Sequence, residues 1–152
     1  MRHYASRGPL AVLSAFIAVT TIAGAIFVVP TLPSEWLEGS VLQDYTIPAL
    51  ALAAVGGLAA VTLVALLVRP AVAGLLAVVT GVAMVTFELV EIAVVGFSLV
   101  DYGVDEPVAW LQVVYLVVGA LTAGAGLALW RTTAEDRERL ARTSPATGTS
   151  QG

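Results

Sequence analysis

An all-α, polytopic membrane protein, built as an antiparallel bundle of four transmembrane helices, follows from three features of the chain. Of its 152 residues 59% are hydrophobic, with a mean hydropathy of +0.93, more apolar surface than a soluble domain of this size can bury. Apolar runs of roughly 20 residues, the length that crosses a hydrocarbon core of about 30 Å, occur four times. The charges between those runs are segregated by sign.

The first span is expected near 9–29, with Pro9 in the first helical turn, where a missing N–H costs nothing. The motif "AGA" at 23–25 matches a signal-peptidase site, but the run continues to Val29 and has the length of a span rather than of a signal core. A loop from Pro30 to Tyr45 follows. In its "LPSEWLEGS", Ser34 is expected to cap a short turn that Gly39 ends, directing Trp36 and Leu37 toward the bilayer and Glu35 and Glu38 toward water. The second span is placed near 47–68, with Thr46 as N-cap and Pro48 just inside it. Only Arg69-Pro70 separates it from the third, near 71–97, so the two form a tight antiparallel hairpin. The fourth, near 107–130, opens with Asp105 as N-cap and Pro107 in its first turn. Residues 1–131 thus make the membrane domain. Residues 132–152 form a cytoplasmic tail, in which "AEDRERLAR" extends helix four and "TSPATGTSQG" is disordered.

All seven basic residues are arginines: Arg2, Arg7, Arg69, Arg131, Arg137, Arg139 and Arg142. Four antiparallel spans put every one of them on one side. The other side carries Glu35, Glu38, Asp44, Asp101, Asp105 and Glu106. The positive-inside rule then places both termini in the cytoplasm. Trp36 and Trp110 fall near the outer interface and Trp130 near the inner one, as an aromatic belt requires.

Helices in lipid associate by close backbone approach more than by hydrophobic burial. Small residues recur every four positions in each span: Ala11 and Ala15; Ala49, Ala53 and Gly57; Ala73, Ala77 and Gly81; Ala120, Gly124 and Ala128. Those stripes close the bundle, or equally serve a homo-oligomer or docking to a larger membrane complex. The stretch "LPSEWLEGSVLQDYTIPALALAAVGG" at 32–57, with Gly39, Ser40, Asp44, Tyr45 and Pro48, together with the inner-turn Arg69, resembles a group of small four-span bacterial integral membrane proteins. The resemblance implies the four-span fold and carries no activity.

Within span three, "MVTFELVEIAVVGF" holds Glu88 and Glu91 three residues apart on one helix face. Fourteen Val, Leu, Ile and Phe residues between 71 and 97 favour insertion by roughly 4–8 kcal/mol, against about 2.5–3.5 kcal/mol for each central acid. The span inserts with much of that margin consumed. At ~1.5 Å per residue, Glu91 lies roughly 9 Å and Glu88 about 13 Å below Phe97. Counting inward from Pro107 brings Gln112 level with Glu91 and Tyr115 level with Glu88, and Thr20 and Thr21 of span one reach the same depth. This polar layer has no arginine within reach. At least one of the two carboxyls is therefore expected to be protonated at neutral pH, donating a hydrogen bond to Gln112 or a backbone carbonyl. Two plainer readings compete: a network that only fixes helix register, and acids wetted from outside.

No cysteine is present, and the one histidine, His3, lies outside every span. Thiolate chemistry and intramembrane haem ligation by a histidine of this chain alone are thereby excluded. There is no nucleophile–base pair, phosphate-binding glycine loop or metal cluster, and "GAGL" at 124–127 sits inside an apolar helix. Catalysis, a cofactor and a metal are not expected, nor is a nucleic-acid partner. The expected function is that of a non-catalytic accessory or interaction protein of the lipid bilayer. The alternative is a small proton- or cation-coupled transporter or channel component using Glu88, Glu91, Gln112, Tyr115 and Thr20, with Tyr115 or Trp110 as a cation–π wall.

Overall fold

The computed structural model describes residues 3–32, 37–38, 41–95 and 107–143. These residues form four α-helices and no strand: α1 (His3–Ala23), α2 (Thr46–Val68), α3 (Pro70–Val95) and α4 (Pro107–Thr143). Each is long and apolar enough to cross a membrane. Between 28% and 39% of the most apolar stretch of each is buried by the others. Facing outward are many Val, Leu, Ile and Phe side chains, among them Val12, Val19, Phe27, Val64 and Leu67. In water such a belt would be a very large apolar patch.

The helix ends correct several expectations. Pro9 is the seventh residue of α1 rather than part of its first turn. The far end of span one is not regular: a π-turn at Gly24–Val28 follows α1 directly, and a 3-10 turn at Val29–Thr31 follows that. Thr46 does not cap α2 but is its first residue, and Tyr45, at the cap position, makes no side-chain cap bond. The capping role falls to Asp44, whose Oδ1 accepts the Thr46 N–H at 2.8 Å. Leu37 is buried in the protein rather than turned toward a bilayer. Ser34, Trp36, Gly39, Phe97, Asp105 and the 144–152 tail lie outside the described residues.

Arg69 alone separates α2 from α3. Its N–H still bonds Ala65, while its carbonyl accepts from Val72 at 2.9 Å and Ala73 at 3.1 Å. One residue thus terminates one helix and starts the next, with Pro70 in the first turn where its missing N–H is no loss.

α3 and α4 pack closest of all, along glycines. A Cβ at Gly74 would lie 2.8 Å from the Trp130 backbone nitrogen and 3.0 Å from the Gly126 carbonyl. At Gly81 it would run into the Gly119 carbonyl and sit 2.5 Å from the Ala123 nitrogen. Residue numbers rise along α3 as their partners' numbers fall along α4. The seam therefore uses Gly119, Ala123 and Gly126. The expected stripe Ala120–Gly124–Ala128 is on the outside, with nothing within 4 Å of a Cβ at Gly124. On α2 the contact glycine is Gly56, set against Thr21 and Ile22 of α1, whereas Gly57 faces open space and Ala53 is exposed. The α3 stripe Ala73–Ala77–Gly81 is buried as a whole, and Ala11 and Ala15 flank the buried face of α1.

Inside, two apolar clusters stack along the helices. One gathers Leu10, Leu66, Ala73 and Leu129, the other Ile17, Val55, Ala59, Met84 and Tyr115. On each helix a fully buried hydroxyl falls between them: Ser14, Thr62, Thr80 and Thr122. Thr122 donates to the carbonyl four residues back at 2.7 Å, and the Thr62 and Thr80 hydroxyls lie 2.9 and 2.8 Å from theirs. The Thr62 and Thr80 hydroxyls also lie 2.9 Å apart across the helices, so one of them shares its proton between its own carbonyl and the other hydroxyl. Such back-bonding lets a hydroxyl sit in an apolar core without an outside partner.

Candidate functional site

Beyond the Ile17–Met84 cluster, one helical turn further along α3, lies Glu88. The spacing Thr80–Met84–Glu88 keeps it on the buried face, and it is 2% exposed. Glu91, three residues on, is half-buried and close enough for the two carboxyls to interact electrostatically. From α4, Gln112 Nε2 donates to Glu91 Oε1 at 3.5 Å, the outer limit of a useful bond. Tyr115 lies one turn further along the same face, 9% exposed, with its hydroxyl near Thr20 and both glutamates. Its ring centroid is 6.2 Å from that of Phe16, tilted by 48°. Thr20 itself donates to the Phe16 carbonyl at 2.7 Å.

The structure thus brings together Glu88, Glu91, Gln112, Tyr115 and Thr20. It leaves out two residues considered with them. Thr21 is fully buried but turns toward Gly56 of α2 and donates to the Ile17 carbonyl at 2.7 Å. Trp110 is 67% exposed and points out of the bundle, so it builds no wall for a cation here. A carboxyl donating to Gln112 is also not what the geometry holds, since the amide is the donor and Glu91 the acceptor.

One feature of the site could not be read from the chain. Glu88 Oε2 is buried and has no hydrogen-bond partner. An unsatisfied polar atom in an apolar interior costs on the order of 1–3 kcal/mol, more if charged, so native structures keep few of them. Ser14 Oγ is the other such atom set deep among the helices. Sequence reasoning also missed the hydroxyls between the two apolar clusters, although four Ser and Thr residues near the middle of four apolar helices were a visible signal. Among the described residues no group of three or more His, Cys, Asp or Glu side chains comes together.

The fold and this layer define a class: an all-helical chain with four helices of membrane-crossing length and a two-carboxyl polar layer where α3 and α4 meet. Compared with family models, with curated proteins and with solved structures, the chain matched none. The likeness noted at 32–57 is therefore one of residue pattern alone.

Proposed function

We propose that the chain is an integral protein of a bacterial cytoplasmic membrane, an antiparallel four-helix bundle with both termini cytoplasmic. In this reading it acts without catalysis, as an accessory or interaction protein. The opposed numbering of partners along α3 and α4 supports the antiparallel arrangement, and the outward apolar belt supports insertion. The observation that carries the interaction role is the stripe Ala120–Gly124–Ala128. It is small, exposed and unused by the seam, which runs along another face of the same helix. In lipid a smooth stripe of that kind is where a further helix can approach closely. The test is a photo-crosslinking residue at Gly124 in native membranes, compared with the same residue at Val19, an exposed apolar position on α1. Protein adducts at 124 and only lipid adducts at 19 are expected. Lipid adducts alone at both positions would remove the basis of the interaction role.

The second reading, a small proton- or cation-coupled transporter or channel component, is favoured by the unpartnered oxygen of Glu88. Proteoliposome flux that is abolished in Glu88→Gln would support it. The two apolar clusters between Glu88 and the Arg69 end of the helices weigh against an open conduit.

A further inference from the structure

Along the bundle, two apolar clusters shut the polar layer off from the Arg69 end. From the Arg69 end, anything approaching Glu88 along the bundle must pass the Leu10–Leu66–Leu129 cluster, then the hydroxyls, then the cluster of Ile17, Ala59 and Met84. All but Leu66 of these apolar side chains are at most 1% exposed. On the other side, the described polar residues next to Glu88 on α3 and α4 are the half-buried Glu91 and Gln112. The layer is also more than a pair of acids, because one oxygen of the almost fully buried Glu88 is left without a partner. A deprotonated oxygen there lacks a donor. Two ionised carboxylates side by side in an apolar interior would leave two negative charges uncompensated.

The groups facing Glu88 do not supply the missing charge. On α3 there is Glu91, and on α4 Tyr115 with the neutral Gln112. α1 contributes Thr20, and the described part of α2 has no ionisable side chain at all. Arg69 precedes α3 and lies about 28 Å away along the helix at 1.5 Å per residue.

We infer that Glu88 and Glu91 form a one-sided binding site for a single positive charge, a proton, loaded and released at the Gln112 end of the bundle and sealed from the Arg69 end. The step is a simple exchange: a Glu88 carboxylate and a hydronium ion give the carboxylic acid and water, and the proton leaves by the way it came. The ligand set selects a proton over a metal cation. A hard cation of the calcium or magnesium type wants six or more oxygens in a shell. Here Gln112 turns its N–H rather than its oxygen to the site, so the amide offers a cation no lone pair. A proton needs one free lone pair, which Glu88 Oε2 provides. The inference does not depend on the accessory reading, since a bundle that only docks partners would take up the proton equally.

The full-length chain is reconstituted in phosphatidylcholine vesicles. Orientation is read from trypsin protection of the Arg137–Arg142 segment, and vesicle preparations are used in which nearly every chain is protected, with the Gln112 end facing the external medium. Infrared difference spectra then follow the protonated-carboxyl C=O band after a pH step on either side, and after addition of sodium or potassium at constant pH. The expected result is a band equivalent to one carboxyl per chain that follows external pH only. It should disappear in Glu88→Gln and shift its midpoint in Glu91→Gln, with both variants eluting like the parent in detergent. A Gln112→Leu variant should keep the band with a displaced midpoint. A band that survives Glu88→Gln, or that answers internal pH as fast as external pH, overturns the inference. So does a band that sodium or potassium removes at constant pH, which would make the ligand a metal cation.

Discussion

The two halves of the α3–α4 seam are made by the same pair of helices, yet they are held together differently. At Gly74 and Gly81 the helices touch backbone to backbone, with no room for a methyl group at either position. From Glu88 to Glu91 they meet through one 3.5 Å hydrogen bond and leave a carboxyl oxygen unsatisfied. The glycine half is what close packing in lipid favours, because association there rests on van der Waals contact rather than on expulsion of water. The carboxyl half costs insertion energy and returns little of it as contact. Cohesion therefore sits in one half, and the carboxyl layer sits in the half that cohesion does not need.

Breaking the glycine half should have the largest effect. Gly81→Leu drives a side chain into the Gly119 carbonyl and the Ala123 backbone. Neither can move without shifting a helix, so a loss of about 3 kcal/mol or more is expected, at the upper end for overpacking. Unfolding in mixed micelles by increasing SDS would measure it. Gly124→Ala in the same experiment is the internal control. Its Cβ meets nothing within 4 Å, so relief of glycine's helix penalty should stabilise by up to about 1 kcal/mol.

The carboxyl half should respond in the opposite sense. Glu88→Met removes a buried unsatisfied oxygen while keeping a similar volume, and a gain of about 1 kcal/mol is expected. A loss of stability in that variant would mean that Glu88 is structural glue. Between the halves, Thr62→Val deletes the 2.9 Å contact with Thr80, and a loss of about 0.6 kcal/mol is expected, the average for hydrogen bonds between membrane helices.

The smallest effect lies outside the seam. The Thr46 backbone N–H, and then its side chain, hold the exposed Asp44 carboxyl below the ordinary aspartate range. A carboxyl with a lowered folded-state value stabilises above its unfolded value, and that contribution fades as the pH falls through the lowered one. Protection of the Thr46 amide, taken against its intrinsic exchange rate at each pH, should thus fall on the acid side of the usual aspartate range and be kept at neutral pH. Asp44→Ala should show low protection throughout. Identical profiles in the two proteins would remove the cap.

The site and the fold differ in how far they could be read from the chain. Counting helical rise places Gln112 level with Glu91 and Tyr115 level with Glu88, and the structure holds these four with Thr20 in one layer. That reading works because a polar residue in an apolar helix is marked by its chemistry, and its depth follows from a constant rise per residue. The direction each side chain takes did not follow in the same way. Trp110 was considered for the site and turns outward, while Thr20 rather than its neighbour Thr21 borders Tyr115. One residue is about 100° of helix rotation, and level counting carries no information about angle.

The sequence by itself determined four helices of membrane-crossing length, the tight turn at Arg69-Pro70 and the identity of the polar layer, because length, hydropathy and helix punctuation are properties of consecutive residues. The tertiary structure alone decided which stripe of α4 forms the seam. Gly119, Ala123 and Gly126 do so, while Ala120, Gly124 and Ala128 are left outside. It also decided that Glu88 Oε2 would have no partner. A soluble helix announces its buried face by being polar on the other. A helix that is apolar all round has no such mark, so its rotation is chosen by the shape of its neighbours, and shape exists only once the helices are together.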